Sequence, residues 1–209
     1  MDLRALALSL VFAASSPLSA QAPTGWQLRL DRSSDASDPD NTPDVRVTPT
    51  ASGFQVTTGP AAVLWHAKNT AAGEYTLRGT FHLLRPSGHV NYYGLVFGGS
   101  DLAGAKQNYL YFLVGQNGAF LVKHRAGDAV THTIQGRTVH DAIARPVGNG
   151  KSVNHLEVRV RAGRIDYVVN GTIVHSTPRT GMSARTDGLW GVRVNHELDV
   201  RVEGLASSP

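Results

Sequence analysis

One stretch constrains this chain more than any other: Arg164-Ile-Asp-Tyr-Val-Val-Asn-Gly-Thr-Ile-Val-His-Ser176. Apolar residues alternate, Asn170-Gly171 interrupts them, and the chain turns apolar again. Asn-Gly tolerates φ > 0 at both positions, which a two-residue hairpin loop demands. The stretch therefore reads as two antiparallel strands joined by a tight turn. A second Asn-Gly, Asn117-Gly118, separates the apolar runs 108–114 and 119–125 in the same manner.

The rest of the chain repeats this grammar. Short alternating or continuous apolar runs occupy 26–30, 45–47, 53–58, 62–66, 74–84, 92–98, 131–134, 154–161, 188–195 and 198–205. Gly, Pro, Asn and Asp punctuate them every eight to twelve residues or so, the spacing of sandwiches and jelly rolls. The runs at 92–98, 108–114 and 119–125 are nearly continuous in Val, Leu, Phe and Tyr, so they are expected to be central strands covered on both sides. Residues 31–43 are polar and turn-rich and form a loop. A single helical turn is expected at 139–144, followed by a turn at Gly148, Asn149 and Gly150. The fold class is all-β: a two-sheet antiparallel β-sandwich.

The N-terminus carries the pattern of an export signal. Arg4 precedes an apolar run at 5–14, too short to span a bilayer, and small residues lead to an expected cleavage after Ala20. The expected organisation is a signal peptide at 1–20, a linker at 21–25, one sandwich domain at 26–205 and a tail at 206–209. The location is then secreted or periplasmic, with no stable membrane insertion after cleavage. The 209 residues include no cysteine, which excludes thiol catalysis and thiolate metal sites. The formal net charge is +4, but the basic residues alternate with Val and Leu, as at Arg159, Arg161, Arg193 and Arg201. That pattern reads as the solvated face of half-buried strands. With no basic block, nucleic acid is not an expected partner.

The order of motifs resembles a known superfamily. Tyr-Gly-Leu-Val-Phe-Gly at 93–98 precedes Asn-Tyr-Leu-Tyr-Phe at 108–112 and Gly-Ala-Phe-Leu-Val at 118–122. Asn-His-Leu-Glu-Val-Arg-Val at 154–160, Val-Val-Asn-Gly-Thr at 168–172 and Gly-Leu-Trp-Gly-Val-Arg-Val at 188–194 follow. This looks like the concanavalin A-like lectin/glucanase superfamily, closest to the laminin-G-like and 3-keto-disaccharide hydrolase type domains of secreted bacterial proteins. The resemblance implies a jelly roll, with carbohydrate or glycan as the partner class. It leaves open a binding domain, a glycan or keto-sugar hydrolase, and an interaction domain without a small ligand.

The residues themselves favour binding. Glycosidases of this fold place paired carboxylates along one strand, about 5 Å apart for retention. The nearest match, Glu197-Leu-Asp199-Val-Arg201, has Arg201 where a further carboxylate belongs. A hydrolase would have to draw its acid and base from Glu74, Asp101, Glu157, Glu197 or Asp199. A sugar site instead combines aromatic rings, which stack on apolar sugar faces, with polar side chains that bond hydroxyls. Tyr93, Tyr109, Tyr111, Lys123, Arg125 and Asn195 supply both kinds of group and are the expected ligand-binding residues. Asp35, Asp38 and Asp40 crowd one loop and could offer oxygens to Ca²⁺, although the spacing is not that of an EF-hand. The nine histidines are scattered and show no ligand spacing.

Overall fold

The computed structural model describes residues 22–147 and 150–209. The expected signal peptide, Gln21 of the expected linker, and Gly148 and Asn149 of the expected turn lie outside the described residues.

Two seven-stranded antiparallel sheets carry the chain. Sheet A runs, in spatial order, β1 (Trp26–Asp31), β4 (Ala61–Ala71), β13 (Gly188–Val194), β6 (Tyr92–Ser100), β7 (Asn108–Gly115), β8 (Ala119–Ala126) and β9 (Val130–Val139). Sheet B runs β12 (Thr172–Pro178), β11 (Arg164–Val169), β10 (Ser152–Val160), β5 (Tyr75–Arg85), β14 (Asp199–Ser208), β3 (Gly53–Thr57) and β2 (Arg46–Thr50). The expected all-β sandwich is the observed architecture. The only helical elements among the described residues are two short 3₁₀ turns, Pro39–Asn41 and Gly181–Ser183. No described helix is long and apolar enough to cross a membrane.

Alternation decides what each strand buries. Leu64, Phe81, Tyr93, Leu95, Phe112, Leu156, Tyr167, Val192 and Val200 point between the sheets and form the main core. Each contributes about 1.5–3 kcal/mol by leaving water. The intervening residues of sheet A point the other way. There Val63, Trp65, Tyr92, Val96, Tyr109, Tyr111, Leu113 and Leu121 form a second apolar cluster, joined by Leu102 of the β6–β7 loop. This is why β6 and β7 read as continuous apolar runs.

The Asn170-Gly171 turn has the expected geometry, with φ of 50° and 82°. The Asn117-Gly118 loop differs. Only Gly118 of the pair has positive φ, and its amide bonds back to Gly115 O at 2.9 Å. No helical turn forms at 139–144. Strand β9 continues to Val139, and a bend closed by Ile143 N to His140 O follows (3.1 Å). The expected tail is part of β14: Ala206, Ser207 and Ser208 pair with Arg78, Leu77 and Thr76. Alternation ends near Gly204, where a bulge interrupts the register, so sequence pattern alone stops the strand early.

Sheet A is curled. Strands β1 and β8 are five places apart in the sheet, which on a flat sheet would be about 24 Å. Yet Arg29 Nη2 of β1 lies 2.7 Å from Asp128 Oδ1 in the β8–β9 turn, and Arg29 Nη1 donates to Gly104 O at 3.0 Å. Those contacts require the outer face of sheet A to be concave. At the middle of the curl a bulge falls between Leu189 and Gly191. A Cβ on Gly191 would sit 2.1 Å from the Leu64 carbonyl oxygen, so glycine is what lets β13 close on β4 there.

Candidate functional site

The concave face of sheet A collects polar groups from six strands around one guanidinium. Arg193 projects from β13 between Val63 of β4 and Gly94 of β6, its register partners. Its Nη1 donates to Asp31 Oδ2 at 2.6 Å and to the Tyr109 hydroxyl at 2.9 Å. Its Nε donates to Asn195 Oδ1 at 3.0 Å. The guanidinium carbon lies 5.6 Å from the centre of the Tyr111 ring, within cation–π range. The side chains of Arg193 and Asp31 are only 11% and 15% exposed.

Electrostatics follow from this packing. Burial raises the Asp31 pKa, but Arg193, Arg125 and Arg29 outweigh it and hold the carboxyl below its ordinary value. Burial pushes both the Tyr109 and Tyr111 hydroxyls upward, so they stay neutral donors. Lys123 is held below the usual lysine value, first by desolvation and then by the neighbouring charges of Arg137 and Arg193. Around the central pair sit Lys123, Arg125 and Arg137. None of the three has a carboxylate at ion-pair distance among the described residues. Arg125 instead bonds Thr131 Oγ1 and the Asp128 carbonyl, and Arg137 lies over the Tyr92 ring at 5.5 Å.

Five of the six expected ligand-binding residues share this face. Tyr109 is opposite Arg125 and Tyr111 opposite Lys123 in the β7–β8 ladder, and Asn195 holds Arg193. Tyr93 does not join them. It points into the inter-sheet core, 5.9 Å from the Phe81 ring, with its hydroxyl accepting from Asn154 Nδ2 at 3.3 Å. Its neighbour Tyr92 faces the site instead, because adjacent strand residues face opposite ways. Sequence pattern alone puts Arg193 on a solvated face and gives no sign of Asp31 or Arg29. For Arg193 a signal was present: Asn195 lies two residues beyond Arg193, so choosing one implies the other.

The expected acidic candidates do not form a pair on this face. Glu74 is exposed in the bend just before β5. Asp101 accepts from Lys106 N at 3.1 Å in its own loop. Glu157 is bound to Arg159 at 2.7 Å on the outer face of sheet B. Asp199 accepts from Gln55 Nε2 at 2.8 Å there. Glu197 precedes β14 with φ of 54° and so does not share a strand face with Asp199. Nor do the three loop aspartates converge. Asp35 accepts from the Ser37 amide and hydroxyl, at 2.9 and 2.7 Å. Asp38 caps the first 3₁₀ turn by accepting from Asp40 N at 2.9 Å. Asp40 faces His89 and His196 instead. Asp35 and Asp38 thus play turn-forming roles.

Two solved structures share the architecture over most of their length. The carbohydrate binding module CBM66 from Bacillus subtilis is 13% identical, with a TM-score of 0.64 covering 89% of this chain and 96% of that one. A Bacillus subtilis protein of unknown function with a galectin-like fold is 10% identical, with a TM-score of 0.60 covering 87% and 88%. At such identities the likeness establishes the fold alone, a two-sheet antiparallel jelly roll. No protein-family model matches the chain, and no curated protein is significantly similar to it.

Proposed function

We propose that this protein is a carbohydrate-binding domain that holds an anionic glycan against the concave face of sheet A. The observation that carries the reading is the convergence of Tyr109, Tyr111, Lys123, Arg125 and Asn195 around the Arg193–Asp31 pair. The Tyr109 and Tyr111 rings are buried and form the floor that holds the Arg193 guanidinium, while the planar groups of Arg and Asn above it bond vicinal hydroxyls. Lys123, Arg125 and Arg137 bring positive charge that no described carboxylate neutralises, which suits uronate or sulfate groups. Asp31 is engaged by Arg193 and Arg29 and acts as a fixed acceptor that orients them. The fold shared with CBM66 supports a sugar ligand.

Two finer readings belong with this proposal. Residues 1–20 serve as an export signal and the domain works in the periplasm or outside the cell, supported by the apolar run at 5–14 and the small residues that lead to Ala20. The kinship with laminin-G-like and 3-keto-disaccharide hydrolase type domains is supported by the sequence motifs alone.

The test is a screen of the purified protein against acidic and neutral glycans, with and without Ca²⁺, and with single-stranded DNA as a polyanion control. Binding to uronate-rich or sulfated glycans and not to DNA is the expected result. Failure to bind any glycan would sink the reading, and binding to neutral glycans alone would remove its anionic part.

A further inference from the structure

Outside the concave face, the structure assigns a second site: we infer that Asp40, His89 and Glu197 bind one divalent transition-metal ion of the Zn²⁺ class. Three separate loops bring these residues together. Asp40 comes from the 3₁₀ turn Pro39–Asn41, His89 from the β5–β6 loop, and Glu197 from the β13–β14 loop. One coordinating atom each from Asp40, His89 and Glu197 fits within 4.8 Å of the others.

The spacing is that of ligands around a small ion. Donors at about 2.0–2.1 Å from tetrahedral zinc lie roughly 3.4 Å apart. Here Asp40 Oδ2 is 3.8 Å from His89 Nε2 and 3.7 Å from His196 Nδ1. Glu197 Oε2 is 3.6 Å from the other ring nitrogen, His89 Nδ1, and it is Nδ1 that is left to an ion, because Asn91 is hydrogen-bonded to Nε2. These separations are too long for hydrogen bonds, so the groups face one another without satisfying one another. His196 Nδ1 is a buried atom with no hydrogen-bond partner among the described residues, and the nearby carboxylate oxygen is that of Asp40.

The surroundings resemble an outer shell that orients ligands. The Ser87 hydroxyl donates to Glu197 Oε2 at 3.0 Å, and the Asn91 side chain lies 2.9 Å from His89 Nε2. Gln116 fixes the same loop by donating to Ser87 O at 2.9 Å. The donor set names the class of ion. An imidazole nitrogen with carboxylate oxygens suits Zn²⁺ and its first-row neighbours, whereas Ca²⁺ takes six to eight oxygens. The site does not depend on sugar binding. Its role is structural: it ties three loops at one end of the sandwich, next to Asn195.

The experiment uses the purified protein stripped with chelator. ZnCl₂ is titrated calorimetrically, and CoCl₂ is followed by visible absorption. The expected result is one ion per chain, a raised Tm, and no comparable effect of CaCl₂. His89→Gln and Glu197→Gln should each weaken Zn²⁺ binding at least about tenfold. His132→Gln, in the stacked pair with His124, should leave it unchanged. His89 is half exposed, so the metal-free His89→Gln variant should melt with the metal-free parent. Absence of Zn²⁺ binding would overturn the assignment. So would binding that survives both ligand substitutions, or binding lost equally in His132→Gln.

Discussion

Val158-Arg159-Val160 and Val200-Arg201-Val202 lie on sheet B, and Val192-Arg193-Val194 lies on sheet A. The three tripeptides are identical, and in each the valines enter the main core. On sheet B the arginines find partners two residues away on their own strands. Arg159 bonds Glu157 at 2.7 Å and Arg201 bonds Glu203 at 3.1 Å, with the arginine side chains 32% and 38% exposed. On sheet A, Arg193 reaches Asp31 and Tyr109, which are 162 and 84 residues away in the chain. A solvated sheet face satisfies its charges locally, because water supplies the rest. A curled face must satisfy them with groups from other strands, and those groups are thereby positioned relative to one another. Positioning of that sort is what a binding surface requires.

Removing the central guanidinium should produce the largest difference between the two faces. Arg193→Ala leaves Asp31 and the Tyr109 hydroxyl without their partner. Breaking a buried pair of this kind costs about 3 kcal/mol or more, a fall in Tm of roughly 6–12 °C for a domain of this size. Thermal denaturation followed by circular dichroism measures it.

The pH dependence of Asp31 sharpens the same point. Its folded pKa lies below the unfolded value, so the stability it contributes is complete above the unfolded value of about 3.9 and is lost as pH falls through the lower folded value. Urea melts of the parent and of Asp31→Asn should differ most between pH 5 and 7 and converge toward pH 3. A difference that persists unchanged at pH 3 would contradict the ion-pair account.

Reversing charge at the rim should affect binding rather than folding. The double variant Lys123→Glu, Arg125→Glu should weaken an anionic glycan at least about tenfold, or 1.4 kcal/mol. The parent's affinity should fall as salt shortens the screening length. Retention of full affinity would place the ligand elsewhere. The smallest effect belongs to sheet B. Arg201→Ala should change stability by about 0.5 kcal/mol or less, since exposed pairs contribute little. A loss as large as that of Arg193→Ala would erase the distinction between the faces.

Much of the sandwich was legible in the sequence because strand alternation reports which side faces a core. The hairpin at Asn170-Gly171 was legible for a local reason, the need for positive φ at two consecutive positions. The site was partly legible. Tyr109, Tyr111, Lys123, Arg125 and Asn195 carry site-like chemistry, and alternation along β7 and β8 pairs them correctly. Tyr93 was misplaced because Tyr92 and Tyr93 are chemically alike and only the register of β6 decides which faces outward. Arg193 was hidden because its neighbours in sequence match those of Arg159 and Arg201. What separates them is the curl of sheet A, and curvature is set by contacts such as Arg29 to Asp128 that span 99 residues. The Asp40–His89–Glu197 cluster was hidden for the same reason: no periodicity relates three loops that meet only at the end of the sandwich.

Strand β14 lies between β3 and β5 in the middle of sheet B, although it is the final strand of the domain to be synthesised. Until it has emerged from the ribosome, β5 and β3 have no bridge between them and sheet B stays divided. The two parts of sheet B, β12-β11-β10-β5 and β3-β2, are thus joined only through the chain's last strand.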